Sequence, residues 1–552
     1  MSESKPMLQT FAAPEKSRRP LFARIIYLTL ALLLVCAAAF FRLRLPQEPF
    51  VDPDVAGYLD PALLALTDHG FQHIEGRSFV YPGFVYLILG TFRDFRAISI
   101  VQHLSGLAAG GILLACWNRS LTFILKPVTP TIIGRLLGLL VAALFMFNAS
   151  VVRLEQMIRP EAIFPAFASL SMFFNIQFIR YRFLQRENRV ALFFGSITLF
   201  NACLLFYLKP SFYLAPIFAS SPIWISLLDL NEPLRKKLMM IGIAAICIAA
   251  LLFLPEQALK RTDPDSKTFL PTTLFMIHAN IIRDQMVFDV ENRVKTPYPP
   301  EFLQKTANLL NEEIKVSKRT GRYTSLGFDP DYLMYKDSFD RKFRAAFALH
   351  DSDSGRVKFY YYYFFRAWAH QPARMSQKVA LQTGILYNNI RKASPYKLED
   401  HTQLSAAYTE NCEIFNAEMS SPKIEYEPLK KFISRSTLLT NTSYQIAQPK
   451  AVSWINSFLA RTFTLSILLA LLLAIVISKK PDLRINYGWL LATILLFYTY
   501  SFANTLGIAI VHTLEITRYL TNQLSYCLLP QCLTLFLSVE VCCSLRTLAP
   551  AT

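Results

Sequence analysis

Two carboxylates flank a proline in the segment "VDPDVAGYLDPALLALTDHGF": Asp52 and Asp54 stand on either side of Pro53, and Tyr58, Leu59, Ala62 and Leu66 follow at helical spacing. Pro53 fixes its own φ, so both acids are held stiffly just ahead of an amphipathic helix. The segment follows directly on a long apolar run, which puts the pair at the boundary between lipid and water. A partly desolvated carboxylate there is a better proton acceptor than a fully solvated one. The competing role is structural, since Asp before a helix start is a preferred N-cap.

The elements that must position these acids are apolar helices. The chain has 552 residues, of which 53% are hydrophobic and only 17% charged, too apolar for a soluble protein of this length. Runs long enough to cross about 30 Å of hydrocarbon occur near 25–41, 98–115, 132–149, 161–179, 190–208, 211–228, 238–254, 456–477, 486–511 and 522–541. The fold class expected is therefore all-α and integral to the membrane, with about ten transmembrane helices. The first run follows Lys16, Arg18, Arg19 and Arg24 and is followed by Arg42 and Arg44, without a small-residue cleavage site between, so it reads as a retained helix and not as a signal peptide. An eleventh stretch, Tyr81–Phe92, is too short to span.

Charge decides how that stretch is counted. With Tyr81–Phe92 left out, the loops bearing Arg119, Lys126 and Arg135, then Arg180, Arg182, Arg186 and Arg189, then Arg235–Lys237, then Lys479, Lys480 and Arg484 all fall on the side of the N-terminus, as basic cytoplasmic loops should. Counting it as a span would place every one of these clusters outside. Residues 81–92 are accordingly expected to be half-inserted or interfacial, and both termini cytoplasmic. The expected organisation is a cytoplasmic tail over 1–24, an N-terminal membrane module over 25–255 with a first external loop at 42–97, an extracytoplasmic domain over 256–451, and C-terminal membrane helices over 452–552. Segments 42–97, 150–160 and 256–451 then share the outer face, together with the turns at Lys209 and near Arg518.

The insertion 256–451 holds 28 Lys and Arg against 22 Asp and Glu, so the net charge of +18 for the whole chain lies mostly beside the membrane spans and does not mark a nucleic-acid surface. Stretches such as "ARMSQKVALQTGILYNNI" have helical apolar spacing, and a mainly helical domain is expected. Its aromatic block "KFYYYYFFRAW", Lys358–Trp368, reads first as packing between domain and membrane, with sugar stacking as the alternative. Of nine cysteines only Cys412 lies in the insertion, which excludes a disulfide internal to it, and no Cys/His spacing suggests structural zinc. His69 and His73, four apart, and His103 lack an evident further metal ligand.

"PDVAGYLDPALLAL" followed by "YPGFVYLILG" resembles the first external loop of polytopic glycosyltransferases of the GT-C superfamily, the group of protein O-mannosyltransferases and lipid A aminoarabinose transferases. "VVRLEQMIRPEAIFPAFASL" is similar to that family's second external loop, where an acid opens the fourth helix; Glu161 fills the position. "FYLKPSFYLAP" is similar to its basic residue plus proline at a helix end, with Lys209 where Arg is usual, and "HTLEITRYLTNQ" resembles an Arg-Tyr element near its last helices, here Arg518 and Tyr519. The resemblance covers roughly 20–255 and faintly 486–541 and does not extend to the insertion.

The resemblance implies transfer of a sugar from a polyprenyl-phosphate donor to a lipid, glycan or protein acceptor on the outer face, by inverting displacement. Asp54 becomes the candidate base, with Asp52 as competitor and Glu161 as a further acid, while Tyr58 and Tyr519 join the substrate site. Lys209, Arg159 and Arg518 sit at outer helix ends, where cations can stabilise charge on a departing phosphate. Each could instead anchor its helix to lipid headgroups, a reading with most weight for Arg159 and less for Lys209, which interrupts a continuous apolar stretch. Asp52, Asp54 and Glu161 also offer hard oxygen ligands, so a divalent metal is left open as a cofactor. Glu155 is a spare acid of the second loop, and Glu515 reads as an ion-pair partner of Arg518. The rival classes are a polytopic transporter or flippase, which should show internal repeats and ionisable sites at mid-bilayer, a polysaccharide polymerase or ligase, and a non-catalytic membrane assembly factor. A bacterial inner membrane is the expected location; the sequons at Asn118, Asn148 and Asn441 are too short a pattern to indicate otherwise.

Overall fold

The structure is a computed structural model that describes residues 21–52, 54–72, 77–228, 233–262, 270–320, 353–388, 406–419, 425–439, 446–511 and 520–548, with a few single positions between. Among these residues the regular elements are helices, and the sole pairing of β type is an isolated parallel bridge between Phe50 and Met157. Among the described residues seven helices are long and apolar enough to cross a membrane, or eight if the bent pair Thr131–Met146 and Ala149–Glu155 is one span, and the chain is an integral multi-pass membrane protein of all-α class.

The N-terminal half runs α1 (Leu21–Leu43), α2 (Val55–Leu66), α3 (Val80–Phe92), α4 (Arg96–Leu121), α5 (Thr131–Met146), α6 (Ala149–Glu155), α7 (Phe164–Ile179), α8 (Asn188–Leu208), α9 (Leu214–Ala219), α10 (Ser221–Leu228) and α11 (Leu234–Ile248). Three of the ten apolar runs are less simple than their hydropathy suggests, among them 132–149, which ends at the bend between α5 and α6. The run 211–228 is broken into α9 and α10 at Ser220, in a stretch carrying Pro210, Pro216 and Pro222, each without a backbone donor. The run 161–179 starts with a 3₁₀ turn, Pro160–Ala162, so that α7 itself has 16 residues before it passes into a π-turn at Arg180–Leu184. α7 is buried on nearly every side, packed between α4 and α8, which explains its lack of a polar face. α3 has 13 residues, about 20 Å at 1.5 Å per residue, and packs along α2 and α4.

Close packing at α4 depends on small residues. Gly106 and Gly110, four apart, face Glu155 and Met146: a Cβ at either would come within 1.8 Å of the Glu155 carboxylate or 2.5 Å of the Met146 side chain. α5 and α6 meet at a bend of 52°, where the Asn148 side chain caps α6 by accepting from the N–H groups of Ser150 and Val151. The bend turns α6 back into the bundle and carries Glu155 inward.

The insertion contributes α12 (Leu254–Thr262), α13 (Leu270–Ile277), α14 (Ala279–Glu291), α15 (Pro300–Thr320), α16 (Asp353–His370), α17 (Pro372–Asn388), α18 (Ala406–Met419) and α19 (Glu427–Leu439), before α20 (Lys450–Lys479), α21 (Pro481–Val511) and α22 (Leu524–Leu548) complete the bundle. Its helices divide between two cores. α13 to α16 build one of their own with Phe275, Leu310, Phe359, Tyr360 and Tyr363, closing on Val511 of α21. Part of the aromatic block belongs to this core: Phe359, Tyr360, Tyr363 and Phe364 fall on one helical face and pack against α13 and the aromatics Tyr298, Phe302 and Phe343, while Phe365 is exposed. Val379, Tyr408, Cys412, Phe415 and Phe432, from α17 to α19, join the main core of the bundle instead.

Loops segregate to two ends. At one, the Lys126 N–H donates to Asn486 (2.7 Å), Glu540 accepts from the N–H groups of Val128 and Thr129 (2.9 and 2.8 Å), Arg182 donates to Ser226 (2.9 Å), and Phe183 stacks on Trp489. These are the loops that carry the basic clusters. At the other end, Phe50 pairs with Gln156, Phe79 with Glu256, Glu48 with Arg435, and Ala149 with Gln448. Segments 42–97 and 150–160 thus meet parts of the insertion there.

Candidate functional site

Asp52 and Asp54 stand at this second end, where α2 begins. Asp54 occupies the N-cap position of α2 but makes no capping bond with its side chain. Its backbone N–H donates instead to Asp52 Oδ1 at 2.8 Å, so the Asp52 carboxylate closes the turn. Capping therefore does not account for the second acid.

The pair meets Arg159, which lies two residues beyond the Phe50–Met157 bridge in extended backbone. Arg159 Nη2 is 2.5 Å from Asp52 Oδ1 and 3.6 Å from Asp54 Oδ2. Asp52 and Arg159 are almost wholly buried, whereas the Asp54 side chain is 38% exposed. Burial raises the Asp52 carboxyl above the usual carboxylate range; Arg159 opposes the rise and Asp54 adds to it. Asp52 Oδ2 is buried with no hydrogen-bond partner among the described residues.

Arg77 closes the other side. Its guanidinium donates to Asp54 Oδ1 (3.1 Å) and lies over the Tyr58 ring, 4.0 Å from the centroid. Gly57 makes room for it, because a Cβ there would stand 2.5 Å from Arg77 Nε. Tyr58 in turn packs edge-on against Tyr81, 5.4 Å between centroids, and the Tyr81 hydroxyl has Glu161 and Arg159 among its electrostatic neighbours. Glu161, in the turn before α7, accepts from Lys209 Nζ at 2.6 Å, with Phe164 and Phe212 in contact beside the pair. Both charges are removed from water, so each requires the other.

Behind the site, Glu155 receives a bidentate fork from Arg42 (2.8 and 2.9 Å) and a contact of 2.8 Å from His103 Nδ1, all three residues being buried. Arg42 Nη1 also donates to the Met146 carbonyl at 2.7 Å, tying α1 to the α5–α6 bend.

Of the residues singled out in the sequence, Asp52, Asp54, Tyr58 and Arg159 come together, and Glu161 with Lys209 forms the pair beside them. Arg518, Tyr519, Glu515 and His73 lie outside the described residues. His69 bonds to the Thr67 hydroxyl and His103 to Glu155, so these two histidines are not adjacent ligands. Among the described residues no group of three or more His, Cys, Asp or Glu could hold a metal ion. Arg77, Gln102 and the Arg42–Glu155 fork were not assigned to the site from sequence. Arg77 is a lone basic residue in an aperiodic loop, and Arg42, at the end of an apolar run, has the pattern of a headgroup anchor.

No family model matches the chain, and no curated protein matches it. Among solved structures, the chain is similar to the crystal structure of ArnT from Cupriavidus metallidurans bound to undecaprenyl phosphate, at 10% identity, over 89% of this chain and 78% of that one, with a TM-score of 0.33.

Proposed function

We propose that this protein is a membrane glycosyltransferase that moves a sugar from a polyprenyl-phosphate donor to a lipid, glycan or protein acceptor at the end of the bundle where α2 begins. The observation that carries the reading is the joining of two acids from the first loop with Arg159 of the second and Arg77, in the residues whose motifs resemble GT-C enzymes. An acid that is half exposed beside one that is buried and ion-paired divides the labour between them.

Asp54 is the base. Its exposed carboxylate takes the proton of the acceptor hydroxyl or amine as that atom attacks the anomeric carbon. The bond from the anomeric carbon to the phosphate oxygen breaks in the same step, the phosphate departs with the bonding pair, and the anomeric configuration inverts. Asp52 holds Arg159 in place for this. Among the described residues, Arg159, Arg77 and Lys209, the last paired with Glu161, are the cations assigned to share the charge that builds on the leaving phosphate. We place this end of the molecule on the outer face of a bacterial inner membrane, with both termini cytoplasmic, because the basic clusters collect at the opposite end.

The test is incubation of membranes containing the protein, and of membranes lacking it, with a panel of radiolabelled polyprenyl-phosphate sugars, followed by extraction of lipid, glycan and protein fractions. Label should enter one fraction only when the protein is present, with anomeric configuration opposite to that of the donor. Absence of transfer from every donor would favour the transporter or assembly-factor reading.

A further inference from the structure

Gln102 sits in the middle of the chain of contacts that joins the two loops, although it has no charge and no exposure. It lies on α4, within the bundle, and is completely buried. A buried amide in such a place is unfavourable unless its donors and acceptor are all used. Here they are used in a particular way. Nε2 donates to two carbonyls of one segment, Glu155 at 2.7 Å and Met157 at 3.0 Å, and Oε1 accepts from the Tyr81 hydroxyl at 2.7 Å. Glu155 and Met157 are the residues that lead into Arg159. Tyr81 supports Tyr58, on which Arg77 lies.

We propose that Gln102 is a positioning residue, which locks the backbone that presents Arg159 to the aromatic stack that presents Arg77, so that the two guanidiniums meet Asp52 and Asp54 in fixed register. The proposal rests on the functional reading above for its consequence in catalysis, but not for the geometry. Few side chains could replace it. Asn is shorter by one methylene, Glu lacks both amide donors, and Leu or Met would take a donor from the Glu155 and Met157 carbonyls and an acceptor from the Tyr81 hydroxyl. The second segment also has independent supports in the Phe50–Gln156 backbone bond and the Arg42–Glu155 fork, so loss of Gln102 loosens the segment without releasing it.

Three variants of the full-length protein test this: Gln102→Leu, Tyr81→Phe, which deletes one hydroxyl and keeps the ring packing, and the two combined. Transfer kinetics and hydrogen–deuterium exchange of the detergent-solubilised protein are measured on each. The expected result is a fall in kcat of about 10- to 100-fold for Gln102→Leu, the scale of a small misplacement of reacting groups, with donor KM changed less than about twofold. Tyr81→Phe should also lower kcat, and the double variant should fall by less than the product of the two single effects, as for members of one chain of contacts. Exchange should rise in peptides from 77–85 and 150–161 and stay unchanged in α20 to α22. Unaltered exchange in those two peptides overturns the proposal, whatever the kinetics, and so does altered exchange with unaltered kcat. Absence of transfer by the wild type overturns the functional reading, while the exchange data still decide whether Gln102 holds the two segments together.

Discussion

The two acids differ in what they can do because they differ in access. Asp52 is enclosed and bound to Arg159, with its carboxyl raised by burial, while Asp54 reaches solvent. As pH falls, Asp52 takes up its proton at a higher pH than an exposed Asp would, and its hold on Arg159 weakens there. Transfer should therefore decline on the acid side at a pH above the ordinary Asp range, and Asp52→Asn should remove that limb while lowering the plateau. A limb that survives the substitution belongs to another group. Lys209 separates structure from chemistry in a different way. Lys209→Met leaves Glu161 buried without its cation and should lose about 3–5 kcal/mol of stability. Adding Glu161→Gln should restore the thermal midpoint, and transfer should stay low if Lys209 also serves the phosphate. Recovery of both would make the pair purely structural.

The elements place these residues by close approach as much as by hydrophobic packing. α4 must admit the Glu155 carboxylate where Gly106 stands, whereas Gly111, on the same helix, has nothing within 4 Å of its would-be Cβ. Gly106→Ala should therefore cost about 1–3 kcal/mol through overpacking, read as a lower thermal midpoint, and Gly111→Ala should be neutral. Equal midpoints would show that Glu155 has room to move. The same elements show what a sequence can carry. The apolar runs and the pairing of Asp52 and Asp54 ahead of an amphipathic helix are local patterns, and they were readable. The break of 211–228 into α9 and α10 was signalled by three prolines, but hydropathy averaged over a window conceals it. Arg77, Gln102 and the Arg42–Glu155 fork depend on contacts between positions 21 to 113 apart in the chain, which no periodicity records.

At the scale of the molecule, the basic loops gather at one end and the acids, the second loop and parts of the insertion at the other. The insertion does not hang from the bundle as a separate body. α18 and α19 lie on the first loop through Tyr408 against Phe50, Phe432 stacked on Phe95 at 4.3 Å, and Arg435 bound to Glu48 at 3.1 Å, so the 256–451 region can shape what reaches Asp54. In its aromatic block, Phe359, Tyr360, Tyr363 and Phe364 belong to the insertion's own core, which the sequence did not reveal because composition records neither partner nor burial. Orientation can be checked by impermeant-maleimide labelling in a background without the nine native cysteines. Arg186→Cys should be protected in intact cells, and Glu427→Cys should react. The reverse pattern would place the acids on the cytoplasmic side.

The most direct test of the account compares Asp54→Asn and Asp54→Glu with the wild type in transfer of labelled sugar from the active polyprenyl-phosphate donor, at matched amounts of folded protein. If Asp54 is the base, Asp54→Asn abolishes transfer, with donor binding retained, and Asp54→Glu keeps a measurable fraction of it. Transfer by Asp54→Asn at the wild-type rate would contradict the assignment and turn attention to Asp52.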